Sequence, residues 1–123
     1  MISQTMLANI VHGATTGPYA GLMLPFYSQR FSADGNSLGD QTGIHSFAYF
    51  LSADFLGSIA MQASLVAEPN DNDWVTLDDT RITVTAPGVE TATAKNYIGH
   101  AIWFRAAITD FTAGTIVKVQ HTN

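Results

Sequence analysis

Between Gly57 and Thr85 the chain reads GSIAMQASLVAEPNDNDWVTLDDTRITVT, and the first ten residues alternate. Ile59, Met61, Ala63 and Leu65 fall on one side, and Ser58, Ala60, Gln62, Ser64 and Val66 on the other. Period two with a more polar opposite side is the pattern of a strand with one face on a core. The apolar run then stops at a Pro, Asn and Asp segment, Glu68 to Asp73, which reads as a surface loop. Trp74, Val75 and Leu77 resume it, Asp78-Asp79-Thr80-Arg81 interrupts, and Ile82 and Val84 close it. The expected order is strand, acidic loop, short strand, turn, strand.

The rest of the chain extends this pattern. Residues 43–52 alternate, with His45, Phe47, Tyr49 and Leu51 as the bulkier, core-facing set and Phe50 expected to be partly covered on the other side. Asn96 to Asp110 reads as one long strand with Ile98, Ile102, Phe104, Ala106 and Ile108 inward. Trp103 and Arg105 then share its outer face, two residues apart, as a candidate stacking pair. Thr115 to Gln120 reads as a last strand, hairpin-paired with the preceding one through Ala113-Gly114, and the segment 53–57 as a second hairpin connection. Residues 85–95 read as a loop or weak edge strand, and Asp34-Gly35 and Gly39-Asp40 as turns.

No helical stretch is long enough for a βαβ crossover. Six to eight short strands with turns between them favour an all-β fold, a two-sheet antiparallel β-sandwich of jelly-roll-like or Ig-like topology. A length of 123 residues suits one domain spanning 1–123, with 1–30 as an edge strand or an interface arm. In the latter segment Tyr19, Leu22, Met23, Phe26 and Tyr27 surround Pro25, which lacks a ladder donor. They either cap the domain's own core or form an interface.

Charge narrows the function classes. Only 12% of residues are charged, about half the usual share. Either Ser and Thr coat the surface, or other chains cover part of it. The formal charge is −5, and the five cations are scattered at Arg30, Arg81, Lys95, Arg105 and Lys118, so no basic face exists for nucleic acid. The opening MISQTMLANIV lacks a basic region and a long apolar core, so no signal peptide is expected. No apolar run is long enough for a helical membrane span, and the absence of cysteine removes disulfides and thiolate metal sites.

The residues offer four kinds of chemistry. Glu68, Asn70, Asp71, Asn72 and Asp73, with Asp78 and Asp79 nearby, offer oxygen ligands for calcium, but the run lacks the glycine and distal glutamate of a calcium loop and reads as plain turn. His12, His45, His100 and His121 show no metal-ligand spacing. Glu68 or Glu90 with Asp73 or Asp79 could pair as hydrolytic carboxylates, yet nothing in the spacing joins them, and no serine sits in a nucleophile elbow. The chain is therefore read as no enzyme, with no cofactor. Trp74, Trp103, Tyr97 and Tyr49 could stack on a sugar ring, which makes a carbohydrate-binding module the alternative to self-assembly.

Three segments carry a resemblance: Met1-Ile2-Ser3-Gln4-Thr5; Gly57 to Leu77 with its Glu68-Pro69 turn and Asp73-Trp74; and Asn96 to Val119. In the last, Tyr97, Gly99, Trp103, Arg105, Asp110, Phe111, Thr112, Ala113, Gly114, Thr115 and Ile116 match a recurring pattern. Together, over about half the chain, these resemble small β-sandwich virion structural and accessory proteins of T4-like tailed phages of the cyanophage type. The resemblance implies a capsid decoration protein, a neck or baseplate accessory, or a fibre-associated module. It would be made in the host cytoplasm and located in the virion, with itself (a trimer, by analogy) and larger virion proteins as partners. The ending Val119 to Asn123 departs from that pattern, so no C-terminal contact is carried over.

Overall fold

A computed structural model describes residues 3–33, 43–88 and 92–122. The strands are β1 (Ser3–Val11), β2 (Phe26–Tyr27), β3 (Phe31–Ser32), β4 (Ile44–Leu51), β5 (Leu56–Ser64), β6 (Val75–Val84), β7 (Ala92–Ile98), β8 (Trp103–Ala113) and β9 (Thr115–Thr122). They form two antiparallel sheets, one of four strands in the order β1-β9-β4-β7 and one of five in the order β2-β8-β5-β6, with β3 also on β8. Taking β2 and β3 as one interrupted strand, the first sheet runs first-eighth-third-sixth and the second runs second-seventh-fourth-fifth. This is the jelly-roll order, which resolves the choice against the Ig-like alternative.

The core lies between the sheets. His45, Phe47, Tyr49 and Leu51 of β4 are all buried, and Phe104, Ala106 and Ile108 of β8 face them from the other sheet. Phe47 and Phe104 meet edge to face at 5.2 Å. Truncating either to alanine would cost about 3–5 kcal/mol, because the rings are wholly enclosed and a void would remain. A bulge after Thr5 in the β1–β9 register turns both Met6 and Leu7 inward.

Strand assignment by alternation is sound, but three connections are not hairpins. β4 and β5 lie in different sheets, so the 53–55 segment carries the chain across the sandwich. The expected strand from Asn96 to Asp110 is two strands: β7 ends at Ile98, Gly99 to Ile102 crosses over, and β8 begins at Trp103 in the other sheet. Ile98 and Ile102, expected inside, are 80% and 42% exposed. At Gly114 the chain again changes sheets, so β8 and β9 do not pair. Gly114 has φ of 87°, and a Cβ there would stand 2.5 Å from the Cα of Phe55. A crossover this tight admits only glycine.

Among the described residues β5 and β6 form the one hairpin between consecutive long strands. β5 is central and covered on both sides: Ser58, Ala60 and Ser64 are as buried as Ile59 and Met61, while Leu65, beyond the strand end, is exposed. The expected turn at Asp78 to Arg81 is a wide bulge within β6, since Met61 pairs with Leu77 and Ile59 with Ile82. Thr80, fully buried, replaces the missing ladder bonds: its hydroxyl donates to the Leu77 carbonyl and accepts from the Met61 amide at 2.9 Å. The Tyr49 hydroxyl donates to the Thr80 carbonyl at 2.7 Å, and burial raises that phenol above its ordinary range. The turns expected at Asp34-Gly35 and Gly39-Asp40 lie outside the described residues.

Candidate interaction surfaces

Cross-strand register fixes which residues share each outer face. On the five-stranded sheet, Gln62 stands opposite both Arg105 and Thr76, and Tyr27 opposite Ala107. Arg105 is buried although it points outward, because aromatic rings flank it. Its guanidinium lies 4.1 Å from the Tyr27 ring and 4.4 Å from the Trp74 ring. Its Nε donates to Gln62 Oε1 at 2.7 Å, and Asp71 approaches its Nη1 at 3.8 Å. Burial lowers the Arg105 pKa, while Tyr27 and Asp71 oppose that shift. Trp103 is stacked too, but under Arg30, at 4.3 Å. Trp103 and Arg105 thus share a face, and each has a different stacking partner from the one expected. Those partners come from distant segments, so no short-range signal could reveal them.

This stack holds down the β5–β6 loop. Trp103 Nε1 donates to the Ala67 carbonyl at 2.9 Å, and Arg30 reaches Glu68 at 3.4 Å. Within the loop the Asn70 side chain accepts from the Asn72 amide, and the Asp73 carboxylate accepts from the Asn70 amide, each at 2.9 Å. The acidic segment spends its side chains on turn geometry and on these contacts. Among the described residues no group of three His, Cys, Asp or Glu side chains could hold a metal ion. Glu90 lies outside the described residues.

Of the five residues proposed around Pro25, Tyr19, Leu22 and Phe26 pack against the core, while Met23 and Tyr27 are 81% and 41% exposed. Tyr19 meets Phe26 edge to face at 5.8 Å. Leu22 and Tyr19 also line a pocket of about 330 Å³ with Val11, His12, Leu24 and Phe111. Of the four aromatics considered for sugar stacking, Trp74 and Trp103 lie on the outer face, whereas Tyr49 is buried and Tyr97 packs against the core.

On the four-stranded sheet the outer face is built in rows. Thr5, Gln120, Ala48 and Ala94 lie side by side, as do Ala8, Lys118, Phe50 and Ala92. A third row is Ser3, Thr122, Ser46 and Asn96, and Ile44 stands beside Ile98 beyond it. The three rows carry one charge, Lys118, which itself lies over the Phe50 ring at 4.8 Å. Ile44, Ile98 and Ile102 are all exposed at one end. This surface was missed in the sequence because it combines four strands whose order cannot be read locally.

The sheet edges also differ. β1 is bulged and carries Asn9 at φ of 56°, β2 and β3 are two residues each, and β6 has its acidic bulge. β7 pairs with β4 through seven consecutive residues without a register shift, and its one charge is Lys95. Bulges, short strands and edge charges block strand addition, and β7 lacks the first two.

Two histidines meet inside the sandwich. His45 Nδ1 lies 2.9 Å from His121 Nε2, and His121 Nδ1 lies 3.1 Å from Gln4 Nε2. Burial lowers His121 to about 4, with His45 adding to the effect, and burial likewise lowers His45. His12 and His100 are exposed, His12 against Phe111 near the other end of β1. No family model, curated protein or solved structure matches this chain significantly.

Proposed function

We propose that this chain is a non-enzymatic structural module of a phage virion that works by assembling with copies of itself and with larger virion proteins. The virion part rests on the resemblance of three segments to phage accessory proteins. The assembly part rests on one observation: β7 is a regular seven-residue edge continuous with an outer face whose three rows hold a single charge. Interface centres are depleted of charge in this way, and a long, regular edge whose one guard is Lys95 supplies backbone donors and acceptors for a further strand. Jelly rolls serve as capsid domains and as lectin domains, so the architecture is compatible with this role without selecting it.

The test places a charge halfway along β7, where that face meets the sheet edge. Ala94→Lys leaves the core untouched, because Ala94 is exposed on β7. The expected outcome is a loss of self-association at least tenfold in apparent affinity, read by sedimentation velocity, with an unchanged melting temperature. Unaltered association would overturn the assignment to this face.

A second reading, glycan recognition on a host surface, is favoured by the outer cluster of Tyr27, Trp74 and Trp103. It predicts specific binding on a glycan array that Trp74→Ala abolishes. The assembly reading predicts none.

A further inference from the structure

We propose that Gln4, His121 and His45 form an acid-sensitive latch that fastens the N-terminal half of β1 and the short strand β3 to the sandwich. This inference does not depend on the virion reading.

The direction of each hydrogen bond is fixed from one end. The Gln4 amide nitrogen donates to the Ser32 carbonyl at 2.8 Å, which can only accept. The same nitrogen faces His121 Nδ1 at 3.1 Å, so that ring nitrogen accepts and the His121 proton sits on Nε2. Nε2 then donates to His45 Nδ1 at 2.9 Å, which leaves the His45 proton on its other nitrogen. Both rings are neutral, and every partner is satisfied. One chain of bonds joins β3, β1, β9 and β4.

A proton has no place in this chain. It would add to Nδ1 of either ring, and each Nδ1 already faces a donor. Gln4 cannot turn its oxygen toward His121 without setting it against the Ser32 carbonyl. Among the described residues the surroundings offer a charge on His45 one compensation, the Gly99 backbone, which burial outweighs, and a charge on His121 none. β7 contributes Lys95, opposite Phe47, and Tyr97, whose ring stacks 6.3 Å from His45. The crossover contributes His100, which disfavours a charge on His45. β8 contributes Phe104, 4.8 Å from His45 and 5.2 Å from His121, and β1 and β3 contribute the uncharged Gln4 and Ser32. Phe47 closes the remaining side, 5.1 Å from His121.

Charging the pair therefore breaks the Gln4 contacts first, because β1 is an edge strand and β3 is two residues long, whereas β4 and β9 are central. The released half of β1 leaves the Val119 to Thr122 edge of β9 unpaired and ready to accept another strand.

Hydrogen exchange on the intact chain tests this, with rates corrected for the intrinsic effect of pH. Amides of Gln4 to Leu7 and of Phe31 and Ser32 are expected to lose protection by up to about tenfold per pH unit below about 6.5, and at every pH to exchange far faster than those of β5 and β8, which open only with the whole sandwich. In Gln4→Leu the β1 amides should already be weakly protected at neutral pH and show no acid step. Equal protection of β1 and β5 at every pH, no loss in β1, or an acid step that persists in Gln4→Leu would each overturn the latch.

Discussion

Thr80 sits where β6 leaves its ladder, and its hydroxyl does the work of a missing backbone pair. Thr80→Val keeps the volume but strips the Met61 amide and the Leu77 carbonyl of their partner inside the core. The expected loss is about 1–3 kcal/mol, seen as a lower urea midpoint with an unchanged slope. A threonine between an aspartate pair and an arginine gives no such signal in sequence, because Asp78-Asp79-Thr80-Arg81 has the composition of an ordinary turn. His121 acts at the same scale. Its folded pKa of about 4 lies below the ordinary 6.5 of the unfolded chain. Between these values the unfolded state binds the extra proton, so stability falls as pH falls from about 6.5 to about 4 and levels off below. The full effect is roughly 3 kcal/mol, and His45 adds in the same direction. Denaturant titrations across that range should show the decline, and a flat profile would contradict the buried neutral pair.

At the scale of elements, the controlling features are the places where the chain crosses between sheets. Gly114 is the tightest. Gly114→Ala combines an unfavourable φ with a clash against the Phe55 backbone, whereas Gly88, at φ of 80°, opens onto free space. Gly88→Ala should cost about 1 kcal/mol, from strain alone, and Gly114→Ala substantially more, in thermal melts of the two variants. These crossings explain which parts of the fold were legible. Alternation identifies a strand and its inward face, and it did so for His45 to Leu51 and for Phe104 to Ile108, because period two is a local property. It says nothing about which sheet a strand joins. Gly99 and Ala101 are small enough to pass as strand residues between Ile98 and Ile102, so β7 and β8 read as one. The stacks of Arg105 and Arg30 were hidden for the same reason, since Tyr27, Trp74 and Trp103 converge only once sheet order is fixed.

At the scale of the whole molecule, charge and edges are unevenly distributed. The five-stranded sheet carries the acidic loop, two stacked arginines and a bulged outer strand. The outer face of the four-stranded sheet presents mostly small, hydroxyl and amide side chains with one lysine, Lys118, beside a regular β7 edge that carries Lys95. The low charge of the sequence is thus concentrated as a property of one face, and that asymmetry carries the assembly proposal. Light scattering of the unaltered chain over a wide concentration range tests it most directly. A stable, discrete oligomer of defined mass, dissociating only on dilution, is the expected result. A strict monomer at the highest concentration attainable would contradict self-assembly through β7 and its face.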